Sequence, residues 1–149
     1  MKAVVQRVSS ASVTISGGIY SAIGSGVVIL LGIKKGDTDS EACYLAEKCA
    51  GLRIFEDREE KMNLSVKDVN GAVLVVSQFT LYGDARKGNR PSFTEAASPD
   101  AAQPLYELFV QHMKTLLGSD KVATGVFQEM MDISLVNSGP VTIILESKN

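Results

Sequence analysis

The chain has 149 residues, 45% hydrophobic and 21% charged, with a formal net charge of −2. That balance belongs to a globular protein rather than a disordered one, and it excludes a protein drawn onto nucleic acid by its overall field. No apolar run is long enough to span a bilayer, and the opening MKAVVQRVSSASV, with Arg7 inside its first apolar stretch, lacks the core of a secretory signal.

One domain over residues 1–149 is expected, large enough to bury an ordinary core. Cys43 and Cys49, six apart on an expected helix, fit no metal spacing and read as free thiols of a cytoplasmic protein.

Met1 to Val8 alternates into a first strand and Ala11 to Ile15 into a second. SGGIY then turns into a hairpin partner, Tyr20 to Ile23. Gly26 to Ile33 is a continuous apolar run, the pattern of a strand buried on both faces. Asp37 to Gly51 predicts a helix, capped by Asp37, Thr38 or Asp39, with Ala42, Leu45, Ala46 and Cys49 on one face and Gly51 as its C-cap. A short strand, Arg53 to Phe55, leads into the charged loop EDREEKMN.

Ala72 to Phe79 is a further apolar strand, followed by a long irregular stretch from Tyr82 to Ser98. Loops of that length inside compact domains tend to carry function. Ser98-Pro99 reads as an N-cap and first helical position, and Pro104 is expected to delay the regular helix, which runs to Leu117. Lys121 to Thr124, Met131 to Val136 and Val141 to Glu146 complete the strands. Strands come in runs rather than in strict alternation with helices. The fold class expected is therefore α+β, with a largely antiparallel, barrel-like sheet and two main helices.

The usual hydrolase constellations are missing. His112 is the single histidine and falls on a helix, so a zinc site of the common type is not expected, and no phosphate-binding glycine loop or nucleophile elbow occurs. What remains is VVSQFTLYGD, where an apolar strand runs out into Ser77, Gln78 and Thr80 just before the long loop. The two hydroxyls are candidates for nucleophile or orienting group, the Gln78 amide for a donor, and the backbone N–H groups of this turn for an oxyanion hole. The loop adds Arg86, Lys87 and Arg90 close together, with Gly88 and Phe93, a local positive cluster suited to phosphate contacts.

Taken together, these segments resemble the D-aminoacyl-tRNA deacylase family over nearly the whole chain. MKAVVQRVSSASVTI is similar to its opening strands, RIFEDREEKMNLS to its charged loop, SQFTLYGD to its first signature, KGNRPSF to its basic loop and NSGPVT to its second signature. The resemblance implies hydrolysis of the ester that joins a D-amino acid to the terminal adenosine of tRNA, by a homodimer without cofactor. It implies that Ser77, Gln78, Phe79 and Thr80 form one wall of the site. Gly139 and Pro140 form the other, from the partner subunit, with Phe127 and Met131 lining the pocket. The chain departs from the family pattern at Phe127-Gln128-Glu129, where Phe-Gly-Ala is common, and at Ser138, where Asp is common.

The same resemblance suggests why Gly139-Pro140 interrupts a strand. A cis bond there turns the chain out of the ladder and offers backbone carbonyls as a fork that grips the substrate's amino group and crowds one side of its Cα. An L side chain would clash, a D side chain would not, and glycyl-tRNA would be cleaved as well. Two mechanisms stay open: attack by Thr80, or water activated by the vicinal hydroxyl of the terminal ribose. Two other classes of function compete, a non-catalytic RNA-binding module and a general Thr80-dependent esterase.

Overall fold

The computed structural model describes residues 1–147. Its spine is one strand, β1 (Lys2–Ile15), where the sequence predicts two. The halves are joined because β1 changes partners without breaking. Residues 2–8 pair with β3 (Gly26–Gly32), residues 11–15 pair with β2 (Gly18–Ile23), and β8 (Asp132–Glu146) runs along the other side of both halves. All three pairings are antiparallel. On the far side of β3 lie β6 (Ala72–Ser77) and then β7 (Val122–Thr124), both parallel to their neighbours.

The sheet order β2-β1-β3-β6-β7 curls until its two edges approach. The Ser21 hydroxyl on β2 donates to the Thr124 carbonyl on β7 at 2.7 Å, so the sheet is barrel-like. The remaining pair, β4 (Phe55–Glu56) and β5 (Met62–Leu64), forms a separate ribbon closed by the charged loop. The strand expected at Arg53–Phe55 thus starts two residues later, at Phe55, and ends one later, at Glu56. The loop stays tight because Asp57 accepts hydrogen bonds from the Glu59 and Lys61 N–H groups and the Asn63 amide.

Each helix has a legible beginning. In α1 (Asp39–Gly51) the capping residue is Thr38, whose N–H and hydroxyl both donate to the Glu41 carboxylate, at 2.5 and 2.6 Å. The C-cap is Leu52 rather than Gly51. In α2 (Pro99–Leu117) the Ser98 hydroxyl accepts the Ala101 N–H, and Pro99 stands in the first turn. The expected delay to Pro104 does not occur. A proline at 104 removes only the bond to the Asp100 carbonyl, and Asp100 is exposed to water.

Val27, Ile29 and Leu31 of β3 face the helices, meeting Leu45 and Ala46 of α1 and Phe109 and Met113 of α2. Val28, on the opposite face, joins Val8, Val13, Leu74 and Val76 inside the curl. This explains the unbroken apolar run of β3: it is central, with a core on either side. Burying each such side chain contributes about 1.5–3 kcal/mol.

Candidate active site

The parallel strands β3, β6 and β7 end together. At that end β6 gives way to a single 3-10 turn, Phe79–Tyr82, so the apolar strand stops at Ser77 and does not reach Phe79. Gln78 anchors the turn: its N–H donates to the Leu31 carbonyl on β3 at 2.8 Å, and its own carbonyl accepts the Leu81 N–H at 3.2 Å. The N–H groups of Phe79 and Thr80 precede that first turn bond and so have no acceptor within the turn. Gly32 permits the close seat. A Cβ there would lie 3.0 Å from the Leu81 Cβ and 3.2 Å from the Gln78 carbonyl.

Ser77 and Gln78 are half-buried, while Phe79 and Thr80 are exposed. The Gln78 amide donates to the Thr80 hydroxyl. No histidine serves this turn: the His112 ring faces Glu47 across the two helices at 3.4 Å. The arrangement supplies N–H groups without an acceptor in the turn, an oriented hydroxyl and no histidine.

Phe79 also meets Phe93 edge to face, with ring centroids 5.1 Å apart. Between them the chain makes the basic loop, closed at its neck by two backbone bonds between Asp84 and Ser92, at 2.7 and 2.8 Å. Within the loop Arg86 is already engaged. Its Nε and Nη2 donate to the two Asp84 carboxylate oxygens at 2.9 and 2.7 Å. That fork holds the Asp84 carboxyl down at about 2. Of the three expected phosphate contacts, only Lys87 and Arg90 are without an ion pair among the described residues.

Phe127 and Met131 lie in the turn that leaves β7 beside the same strand ends, where the Gly125 N–H donates to the Val75 carbonyl at 3.3 Å. Tyr106, whose hydroxyl donates to the same carbonyl at 2.8 Å, packs against Phe127 at 5.8 Å. The Met131 sulfur accepts the Val126 N–H at 3.4 Å. Gln128 holds a left-handed backbone, φ +66°, the conformation a glycine adopts freely. The local chain path therefore survives the bulky side chain.

Gly139 and Pro140 are elsewhere, and their peptide bond is cis. The strands expected at Met131–Val136 and Val141–Glu146 are one strand, β8, carrying a bulge. Gln6 of β1 pairs with Thr142 and Val8 with Asn137, so Arg7 alone faces Ser138, Gly139, Pro140 and Val141. Asn137 ties both ends of the bulge, accepting the Val141 N–H at 2.9 Å and donating to the Thr142 hydroxyl at 3.0 Å. Arg7 fills its inner side. Its Nε donates to the Ser138 carbonyl at 3.0 Å, and its Nη1 to the Ile54 carbonyl at 2.8 Å. Glycine is required at 139: φ is +127°, and a Cβ would stand 2.8 Å from Arg7 Nη2 and 2.9 Å from Val141 Cγ2. Sequence reasoning missed Arg7, whose only visible signal was a charge inside an apolar strand.

The bulge and the Ser77–Thr80 turn do not meet within one chain. Arg7 pairs with Val27 at one end of β3, whereas Ser77 pairs with Leu31 at the other, about 13 Å along the strand at ~3.3 Å per residue. β8 is also separated from β6 by β1 and β3. The long outer edge of β8 pairs with nothing among the described residues, and Val136 and Ile144 on it are 57% and 66% exposed.

The family model described as D-Tyr-tRNA(Tyr) deacylase matches residues 4–146. A D-aminoacyl-tRNA deacylase of Koribacter versatilis is 62% identical over 148 residues, covering 99% of this chain and 98% of its own. Another from Halalkalibacterium halodurans is 57% identical, with 99% and 100% covered. A solved chain titled c-Myc DNA Unwinding Element Binding Protein superposes with a TM-score of 0.95 at 42% identity, covering all of both chains. A probable eukaryotic D-amino acid tRNA deacylase shares the fold alone, with a TM-score of 0.82 at 18% identity, covering 97% of this chain and 98% of its own.

Proposed function

The chain belongs to the D-Tyr-tRNA(Tyr) deacylase family, and from that premise we propose how its single domain, residues 1–149, works. It is a hydrolase of carboxylic esters, a D-aminoacyl-tRNA deacylase. It frees D-amino acids from tRNA in the cytoplasm, as chiral proofreading for translation.

The observation that carries the reading is the separation of the two signatures. Ser77–Thr80 offers oxyanion donors with nothing to select a substrate, and Gly139–Pro140 offers a rigid backbone fork with nothing to hydrolyse one. A second copy of the chain joins them. The open edge of β8 is the kind of surface that a partner subunit covers, since an exposed apolar edge strand otherwise invites aggregation. In the homodimer each Gly139–Pro140 bulge closes the partner's Ser77–Thr80 turn.

The chemistry follows from the groups present. The scissile carbonyl seats against the Phe79 and Thr80 N–H groups, which stabilise negative charge on its oxygen as water adds; one such donor is worth roughly 10²–10³ in rate. With no base beside Thr80, the vicinal hydroxyl of the terminal ribose activates the water. Thr80, held by Gln78, orients the ester. The carbonyl fork of the bulge grips the substrate's ammonium and occupies the space an L side chain needs. Such a fork rejects by collision with the backbone, so glycyl-tRNA, which has no side chain, is a substrate too. Lys87 and Arg90, with the lesser help of Arg86, hold the RNA.

Cleavage of D-tyrosyl-tRNA against the D-tyrosine ethyl ester tests this reading. Rapid release from tRNA with the small ester untouched is expected. Equal cleavage of both would make the protein a general esterase, and cleavage of neither, with tRNA still bound, a binding module.

A further inference from the structure

A second cluster of cations stands just beyond the active end of β3. Lys34 and Lys35 follow Ile33 and lie three and four residues past Leu31, whose carbonyl anchors the Gln78 N–H. The chain that leaves the basic loop zips directly onto this turn. The Lys35 N–H donates to the Glu95 carbonyl, and the Ala97 N–H to the Ile33 carbonyl, each at 2.9 Å, and Lys34 bridges Ala96. The loop carrying Lys87 and Arg90 and the turn carrying Lys34 and Lys35 are therefore fastened to one another.

Between this turn and the first turns of α2 lies an open cleft lined by Lys34, Lys35, Asp37, Ser98, Ala101 and Leu105. Its charge is one-sided. The Asp37 carboxylate is 3% exposed and turned inward. There it meets the Met1 ammonium at 2.9 Å and the Lys34 backbone N–H at 2.7 Å, so it does not answer the lysine side chains. Neither lysine has an ion-pair partner among the described residues. An acidic protein that leaves two lysines unanswered at the mouth of a cleft, on a strap continuous with the basic loop that carries Lys87 and Arg90, has built a track for a polyanion.

We propose that Lys34 and Lys35 make a second set of phosphate contacts to the tRNA, reading its backbone away from the terminal adenosine while the basic loop holds the strand nearer the ester. The contacts carry no sequence information, so they serve tRNAs of every acceptor type. They act on the length of RNA beyond the last nucleotides and leave the reacting ester alone. The inference rests on the deacylase reading, but its failure has a different signature.

The test uses the double variant Lys34→Gln/Lys35→Gln and the single variant Lys35→Glu, which alters only an exposed side chain. Two measurements are made on each. One is the affinity for a tRNA bearing D-tyrosine through a non-hydrolysable amide, followed as a function of salt. The other is the cleavage rate of D-tyrosyl-adenosine, which has no phosphate chain. The expected result is weaker tRNA binding, with a log–log salt slope shallower by about 0.7–0.9 for each phosphate no longer neutralised, and unchanged cleavage of the adenosine ester. If both variants keep the wild-type affinity and slope, the cleft is a solvated surface and the proposal is wrong. If they lose cleavage of the adenosine ester in the same proportion as tRNA binding, the lysines act on the catalytic turn and the proposal is equally wrong. Wild-type protein that leaves D-tyrosyl-adenosine uncleaved would instead overturn the deacylase reading.

Discussion

Arg7 and Ser138 are joined across the β1–β8 bulge by a 3.0 Å hydrogen bond from the guanidinium Nε to the carbonyl, while Nη1 of the same side chain holds the Ile54 carbonyl at 2.8 Å. One planar side chain thus fixes the segment that carries Gly139 and Pro140 to the ribbon beside it. A lysine cannot reproduce this, because its single ammonium lacks the spread of the fork. Arg7→Lys is expected to cost about 1.5–3 kcal/mol of stability, the range for hydrogen bonds to a charged group. It should also narrow the ratio of D- to L-tyrosyl-tRNA cleavage. Urea denaturation and paired rate measurements check both, and an unchanged ratio would show that the bulge keeps its shape without Arg7.

Gly139→Ala should be more severe. The added methyl collides with Arg7 and Val141 in a backbone region that L residues seldom adopt, where strain alone costs about 1–3 kcal/mol. Deacylation is expected to fall at least a hundredfold. If the variant retains wild-type activity at a temperature where it is folded, the backbone at 139 is not the selecting wall.

Much of this was legible in the sequence. The β3 run announced a strand buried on both faces, and the charged loop announced a surface turn. Ser77–Thr80 stood out because an apolar strand ended in polar groups. The continuity of β1 and of β8 was hidden, since Ser9-Ser10 and Gly139-Pro140 read locally as breaks. Only long-range pairing keeps these strands whole, and a local pattern does not record it. Arg7 was hidden for the same reason: its partners Ser138 and Ile54 lie 131 and 47 residues away.

The hydroxyl question has a paired answer. Thr80→Ala removes an orienting group and is expected to keep deacylation within about tenfold of normal. A D-tyrosyl-tRNA whose terminal ribose lacks the vicinal hydroxyl should slow by about 10²–10⁴, the usual worth of a general base. The reverse pair of outcomes, read in single-turnover assays, would make Thr80 the nucleophile.

Asp84 restrains the basic loop. Its carboxyl stays ionised down to about pH 2, so the fork with Arg86 persists throughout the physiological range. The shift is downward, so whatever the pair contributes is present above the ordinary carboxylate range and is lost as pH falls toward 2. Asp84→Asn should release Arg86 at neutral pH, tighten tRNA binding and steepen its salt dependence by about 0.9 on the log–log scale. Neutralising Arg86 alone should then cost less affinity than neutralising Lys87 or Arg90. Titrations over a range of salt check the order, and a dominant loss from Arg86→Gln would mean that the fork opens to meet RNA.

Selection by a fixed backbone at Gly139–Pro140 is central to this mechanism, and three substrates test it most directly. D-alanyl-, L-alanyl- and glycyl-tRNA differ by the position or absence of one methyl. A hydrophobic pocket gains or loses only about 1–3 kcal/mol on a methylene, so it discriminates weakly. A backbone wall held by Arg7 and Asn137 would yield little and so would discriminate strongly. Deacylation of all three at one enzyme concentration, without other tRNA-binding proteins, should show D-alanyl- and glycyl-tRNA cleaved and L-alanyl-tRNA resistant. Glycyl-tRNA as resistant as L-alanyl-tRNA would contradict selection by the backbone wall, because selection would then rest on recognition of the D side chain.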